Sequence, residues 1–277
     1  LDPNGRLYVA SFAGAIWAVD DIDADGRADV VAEFARDLHQ PEGLLWLNGG
    51  LYVTAYDKLL LLKDTNGDGV ADTREVILDG MPGEKYALHQ TNGLALDSDG
   101  RILIGVGSTS DSDEEEHPLA ARILSINPDG SDVKVFATGL RNPYGIAPAP
   151  GGGFFVTDNG ASGCLNTNCT KQIEMPEEVN YVVAGQDYGF PRYYGIPPEG
   201  SNSEAPILSL PDHGSPAGLV VYTGGGLPES YAGRLFVCMW ARNEIVSARL
   251  QRVNDRTFIA SSRVFASGVP GPSAIIN

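Results

Sequence analysis

His89 heads a short polar run, Leu88-His89-Gln90-Thr91-Asn92-Gly93-Leu94, that leads into an apolar strand signal. A neutral imidazole accepts a proton near neutral pH, so His89 is the best candidate base in the chain. A second run of the same kind, Gly139-Leu140-Arg141-Asn142-Pro143-Tyr144-Gly145, carries a guanidinium fork and an amide. That pair suits a carboxylate or an anionic intermediate. The plainer readings stay open: a structural histidine, and an Arg141 paired with an acid of a neighbouring turn. Glu177, Glu178 and the carbonyls of the Asp158-Asn159-Gly160 turn offer oxygens for a further cation.

Two acidic loops carry a sharper pattern. Asp21, Asp23, Asp25 and Asp29 surround Gly26, and Asp64, Asn66, Asp68 and Asp72 surround Gly69. Oxygen ligands at the first, third, fifth and ninth places, with glycine at the sixth for the sharp turn, fit a hard cation of calcium size. Glu75 falls at the twelfth place of the second loop, where a bidentate ligand is expected. Both loops lie between strand signals, so any ion there is read as structural. The run Asp111 to Glu116 has no glycine at the needed place and reads as a solvated loop.

The elements that must position these groups recur. A glycine turn followed by an apolar strand returns at Gly5, Gly50, Gly100, Gly153 and Gly233, in steps of 45, 50, 53 and 80 residues. The first three steps match one blade of a propeller, about 40–50 residues. The excess in the last step falls between Asn159 and Ser215, a stretch rich in Pro, Gly, Asn and Ser that reads as an excursion on one face. A second marker repeats ahead of each strand pair: His39-Gln40-Pro41-Glu42-Gly43, His89 to Gly93, Arg141 to Gly145, and His213 to Gly218. In a propeller these positions converge on one mouth of the central channel. The expected fold is therefore all-β, a single β-propeller domain over residues 1–277 built of four-stranded antiparallel blades, five of them visible. Residues 273–277 read as an innermost strand that could complete the first blade.

Composition sets limits. Hydrophobic residues make up 43% of the 277, and Gly 34 and Pro 18 suit many short strands joined by turns. The net charge of −17 argues against neutralising nucleic-acid phosphates and against docking on anionic lipid. No apolar run approaches the ~18 residues that span a bilayer. Cys164 and Cys169 lie in one polar loop and are expected to form a local disulfide, whereas Cys238 reads as a buried small hydrophobe. With the chain starting at Leu1, these features point to a processed protein exported to the periplasm, cell surface or medium.

The segments from His89 to Gly107, Gly139 to Gly145, Glu178-Val179-Asn180 and Gly185-Gln186-Asp187-Tyr188-Gly189-Phe190-Pro191 resemble the soluble PQQ-dependent glucose/sorbosone (aldose sugar) dehydrogenases. The resemblance implies a six-bladed propeller that binds pyrroloquinoline quinone (PQQ) and calcium and oxidises a sugar C1 hydroxyl to a lactone. It implies that His89 is the base and that Arg141 steadies the reduced quinone. Asn142, Arg242 and Gln40 would contact the cofactor. The carbonyls of Gly160 and Ala161 would hold the cofactor calcium, and Glu178 and Tyr188 a second, structural calcium. The sequence departs from that pattern at Ser108, where the family has an Asp that orients the base. It departs again at Ala241, Pro270 and Pro272, where the family has cations that clamp the cofactor. Three functions follow as expectations. The first is a sugar dehydrogenase-like quinoprotein. The second is an inactive calcium-binding propeller that binds a carbohydrate or a protein partner. The third is a calcium-dependent lactonase or hydrolase.

Overall fold

The computed structural model describes residues 1–83, 89–161, 175–254 and 257–276. Among these residues the chain forms five antiparallel sheets, each built from strands consecutive in sequence. The first holds β1 (Leu7–Ser11), β2 (Ala15–Asp20) and β3 (Val30–Ala35). The second holds β4 (Pro41–Leu47), β5 (Gly50–Ala55), β6 (Lys58–Lys63) and β7 (Thr73–Leu78). The third holds β8 (Thr91–Leu96), β9 (Ile102–Val106), β10 (Arg122–Ile126) and β11 (Lys134–Thr138). The fourth holds β12 (Pro143–Pro148), β13 (Phe154–Asp158), β14 (Glu177–Val182) and β15 (Leu208–Leu210). The fifth holds β16 (Pro216–Val221), β17 (Leu235–Met239), β18 (Glu244–Asn254) and β19 (Thr257–Ser267).

The sheets follow one another through their first strands. β4 packs on β8, β8 on β12, and β12 on β16. A separate apolar core fills each gap between successive sheets. Phe34 meets Val53 in the first gap, Leu59 meets Ile104 in the second, Leu103 meets Val156 in the third, and Phe155 meets Val237 and Phe258 in the fourth. Side chains alternate between the two faces of a strand, so each sheet supplies two cores at once. The result is a propeller-like all-β architecture.

The repeated sequence marker is a β-bulge. Register slips at the same place in β4, β8, β12 and β16, between Pro41 and Leu44, Thr91 and Leu94, Pro143 and Ile146, and Pro216 and Leu219. Each bulge carries a glycine because the segment beside it passes too close for a side chain. A Cβ on Gly43 would stand 2.3 Å from the Asn92 carbonyl oxygen, one on Gly93 2.4 Å from that of Tyr144, and one on Gly145 2.6 Å from that of Ala217. In two sheets a threonine opposite the bulge ties the pair together. The Thr54 hydroxyl accepts from Gly43 N–H and donates to the Asn92 carbonyl, both at 2.7 Å. The Thr157 hydroxyl accepts from Gly145 N–H at 2.8 Å and donates to the Ala217 carbonyl at 2.7 Å. Cys238, fully buried, stands at the matching place on β17.

Two expectations need correction. The first sheet has three strands, not four. Residues 272–276 do not complete it. They lie against β16, where Gly218 N–H donates to the Ser273 carbonyl at 2.9 Å, and they form no strand. The two prolines just ahead of this segment, Pro270 and Pro272, have no N–H to donate. The excursion after Asn159 carries β14 and β15, and its second part, residues 183–207, runs beside β11 through Gly185 N–H to the Phe136 carbonyl and Tyr188 N–H to the Thr138 carbonyl. The pair Cys164 and Cys169 lies outside the described residues, and Cys238 is a free, buried thiol as expected.

Thr54→Val and Thr157→Val each leave a buried N–H and a buried carbonyl unpaired. Each is expected to lower the unfolding free energy by roughly 1–3 kcal/mol in urea denaturation. A loss indistinguishable from zero would show that these hydroxyls do not join the sheets.

Candidate functional site

His89 precedes β8, Ser108 follows β9, Arg141 and Asn142 precede β12, and Asp158 ends β13 with Asn159 and Gly160 just after it. Strand alternation therefore brings all of them to the end where the first strands begin. Gly107 makes room: a Cβ there would stand 2.3 Å from the His89 Cβ.

The tautomer of His89 follows from its neighbours. The Ser108 hydroxyl donates to the Ser110 carbonyl at 2.6 Å, so toward the imidazole it can only accept. His89 Nδ1 lies 2.9 Å from that hydroxyl oxygen and 3.2 Å from the Ser108 carbonyl oxygen. Nδ1 therefore carries the proton, and Nε2 keeps a lone pair. Burial, with Arg141 close by, pushes the imidazole down to about 3, so it is neutral at ordinary pH. Ser108 thus fixes the orientation of the imidazole.

Arg141 is held on every side. Its Nε donates to the Asp111 carbonyl at 2.8 Å, and Nη1 donates to the carbonyls of Asn159 at 3.0 Å and Gly160 at 2.9 Å. Its Nη2 donates to the Asp111 carboxylate. Asp158, buried, takes the backbone N–H of Arg141 at 2.9 Å and of Asn142 at 2.6 Å. The Asn142 side-chain oxygen accepts from Asn92 at 2.8 Å, which links this site to β8. The plainer reading of Arg141, an ion pair with a nearby acid, is what the structure contains. The acid comes from the run expected to be a solvated loop. Glu115 in the same run also turns inward, accepting from Thr109 N–H at 2.7 Å and from its hydroxyl at 2.8 Å.

Behind Arg141 lies a small cavity of about 20 Å³ lined by Asp158, Gly160, Glu178 and Tyr188 among others, room for one water-sized particle. Glu178 accepts from Gly195 N–H at 2.8 Å and from Asn180 at 3.0 Å, and Glu177 from Gly160 N–H at 2.8 Å. Burial, with Asp158 nearby, pushes Glu178 up to about 8, and burial pushes Asp158 up to about 7. Among the described residues, the buried side-chain oxygen of Asn180 has no hydrogen-bond partner. The buried acids Asp158 and Glu178 on a cavity of this size could hold a cation such as calcium, with Glu178 as its first carboxylate. The two backbone sites are less simple. The Gly160 carbonyl faces the Arg141 guanidinium, and the Tyr188 hydroxyl is committed to the Tyr181 carbonyl at 2.8 Å and Val183 N–H at 3.0 Å. Any Tyr188 ligand would come from its main chain.

The other candidates spread out. His39 stacks on Tyr56 with ring centroids 4.3 Å apart, beside a separate hollow that also holds Lys58 and Arg74. Gln40 stands ahead of β4 with φ +46°. Ala241 follows β17, and Arg242 next to it pairs with Glu244 at 3.0 Å. The acidic loops join the two outer strands of their sheets, away from the first strands. Asp21, Asp23 and Asp29 bring one carboxylate oxygen each within 4.8 Å of one another. Asp25 turns to Arg27 N–H at 2.8 Å. In the second loop Asp64 holds Gly67 and Gly69 N–H at 2.7 and 2.8 Å, and Asp72 holds Thr65 and Asn66 N–H, both at 3.1 Å. Asp68 accepts from Val70 N–H at 2.9 Å, and Glu75 lies beyond the loop on β7, opposite Leu61. Sequence reasoning misses Asp111 and the clamping role of Asp158. No helix among the described residues is long and apolar enough to cross a membrane.

The family described as "Domain of unknown function (DUF7133)" matches residues 1–266. An uncharacterized protein of Borreliella burgdorferi is 24% identical over 273 residues, covering 90% of this chain and 69% of its own length. Among the solved structures that share the fold are the following two. A candidate oxidoreductase (glucose dehydrogenase) of Thermus thermophilus aligns with a TM-score of 0.75 at 20% identity, over 99% of this chain and 85% of its own. The PQQ-bound aldose sugar dehydrogenase of Streptomyces coelicolor aligns with a TM-score of 0.74 at 19% identity, over 98% of this chain and 81% of its own.

Two outcomes check this geometry. Nitrogen-15 spectra should show His89 as the Nδ1–H tautomer through the neutral range, and Ser108→Ala should mix the tautomers. A protonated ring at neutral pH would overturn the assignment. Asp158 and Glu178 hold protons that the unfolded chain releases near its ordinary carboxylate range, so they stabilise the fold at low pH and that stability is lost as pH rises toward 8. His89 acts with the opposite sign, and only below its ordinary value of 6.5. Without calcium the melting temperature should therefore fall between about pH 6.5 and 8, and calcium should remove the slope. Chelation should also lower the melting temperature at constant pH, by about 2–4 °C for each kcal/mol of ion binding lost. No change on chelation would remove calcium from the inner cavity and from both acidic loops.

Proposed function

We propose that this chain, which belongs to the DUF7133 family, binds a neutral carbohydrate at the His89 end and that His89 accepts the proton of one sugar hydroxyl. This is the base half of an oxidoreductase-like, aldose dehydrogenase-type site. The observation that carries it is the Ser108-fixed tautomer, which leaves Nε2 as an acceptor. The fold shared with a PQQ-bound aldose sugar dehydrogenase supports it. Calcium is held by Asp21, Asp23 and Asp29, by the Asp64 to Asp72 loop, and by Glu178. The chain acts as one domain over residues 1–277. Calcium dependence and the Cys164–Cys169 loop suit a periplasmic, cell-surface or secreted setting.

The described residues do not fit PQQ, which brings three carboxylates. Ala241, Pro270 and Pro272 offer no charge. Arg242 is tied to Glu244, and the Arg141 guanidinium already donates four hydrogen bonds. Among the described residues the hydroxyl-accepting half of such a site is supported, and the anion-clamping half is not.

Calorimetric titration of the calcium-loaded protein with a panel of aldoses tests the reading. Saturable binding is expected, weakened about tenfold by His89→Ala, which equals about 1.4 kcal/mol for one lost hydrogen bond. No binding to any aldose would overturn it. With PQQ added, no aldose-dependent dye reduction is expected. Reduction that His89→Ala abolishes would restore the quinoprotein reading.

A further inference from the structure

We propose that Asp111 is a built-in counter-anion: it fills the Arg141 fork and makes this end of the molecule a site for neutral ligands. The proposal rests on the carbohydrate reading for its ligand class, but the Arg141–Asp111 geometry stands without it.

A guanidinium presents a planar fork that matches a carboxylate. Here one edge of the fork meets Asp111 twice, through its main-chain carbonyl at 2.8 Å and through its carboxylate. The other edge meets the carbonyls of Asn159 and Gly160. An incoming carboxylate would have to displace a partner that is covalently part of the chain. It would also meet the charge of Asp111 itself. The arginine is 9% exposed and the aspartate 31%, so Arg141 lies beneath Asp111.

The loop that presents Asp111 is fastened at three points. Thr109 binds Glu115 through its N–H and its hydroxyl. The Ser110 hydroxyl donates to the Asp113 carbonyl at 2.6 Å. Tyr194, from the excursion after β14, donates to the Ser112 carbonyl at 3.0 Å. The same loop begins at Ser108, so one segment fixes the tautomer of the base and neutralises the neighbouring cation. A neutral hydroxyl-bearing ligand needs the first and is untouched by the second. An anionic ligand is refused.

The test uses the full chain, calcium-loaded, titrated in parallel with PQQ as the anionic probe and glucose as the neutral one. Wild type is expected to show no saturable PQQ binding. Asp111→Asn removes the competing negative charge, while the main-chain bond to Nε stays, and should bind PQQ at least tenfold more tightly than wild type. The gain should vanish in Asp111→Asn combined with Arg141→Gln. Glu115→Ala, which loosens the loop and leaves Asp111 in place, should give a smaller gain, and it serves as the test if Asp111→Asn does not fold. Equal PQQ binding by wild type and Asp111→Asn overturns the proposal, as does a gain that survives loss of Arg141. Failure of glucose and other aldoses to bind any variant overturns the carbohydrate reading and leaves the anion series to decide Asp111.

Discussion

The molecule depends on how closely its first strands approach one another. Three times, a carbonyl at the bulge of one first strand points at the bulge glycine of the strand before it. Asn92 faces Gly43, Tyr144 faces Gly93, and Ala217 faces Gly145. The Ser273 carbonyl of the closing segment stands over Gly218 in the same way. At that separation a hydroxyl or an N–H can bridge the two segments directly, and no methyl group can stand between them. The glycines are there because the left-over space is a carbonyl wide. The threonines of β5 and β13 convert that close approach into hydrogen bonds. Sheets are thus registered on one another by polar contacts at the axis and by an apolar core farther out.

The same constraint builds the site. With the first strands locked at their bulges, the residues just ahead of each bulge arrive side by side. His89 and Arg141 therefore meet at positions that are distant in sequence. Asp158 extends the lock by holding the N–H groups of Arg141 and Asn142 from β13. A buried carboxylate with two backbone bonds fixes the direction in which the guanidinium leaves the chain. The chemistry at this end is consequently a matter of what surrounds a rigid frame, and the frame itself has little freedom to adjust.

Much of this is legible in the sequence because it repeats. The marker at Gly43, Gly93, Gly145 and Gly218 sets the period, and the period sets the end at which His89 and Arg141 meet. The acidic loops are legible because ligand spacing is local. Features that come from single long-range pairings are not. Nothing in the run Asp111 to Glu116 distinguishes the acid that pairs with Arg141 from its exposed neighbours, since the pairing depends on how that loop folds back. Ser108 is a loss when judged by charge alone, yet its hydroxyl, turned toward Ser110, still defines the imidazole. His39 shares the place of His89 in the repeat, but its ring is captured by Tyr56. The strand expected at residues 273–277 is not formed by its described residues, which lie against β16 through Gly218 N–H and the Ser273 carbonyl.

Every sheet is made of neighbours in sequence, and this shapes how the chain reaches its fold. Sheet proteins are usually slow to fold because their pairings close long loops. Here most strand pairings close short ones, and contacts between sheets involve mainly adjacent units. Such an arrangement behaves like a one-dimensional array, in which each unit is partly stable alone and gains the rest from the unit beside it. An emerging chain can therefore assemble sheet by sheet from its N-terminal side. Each new first strand would find the previous bulge already waiting, and the placement of Arg141 near His89 would be set as soon as the fourth sheet docks.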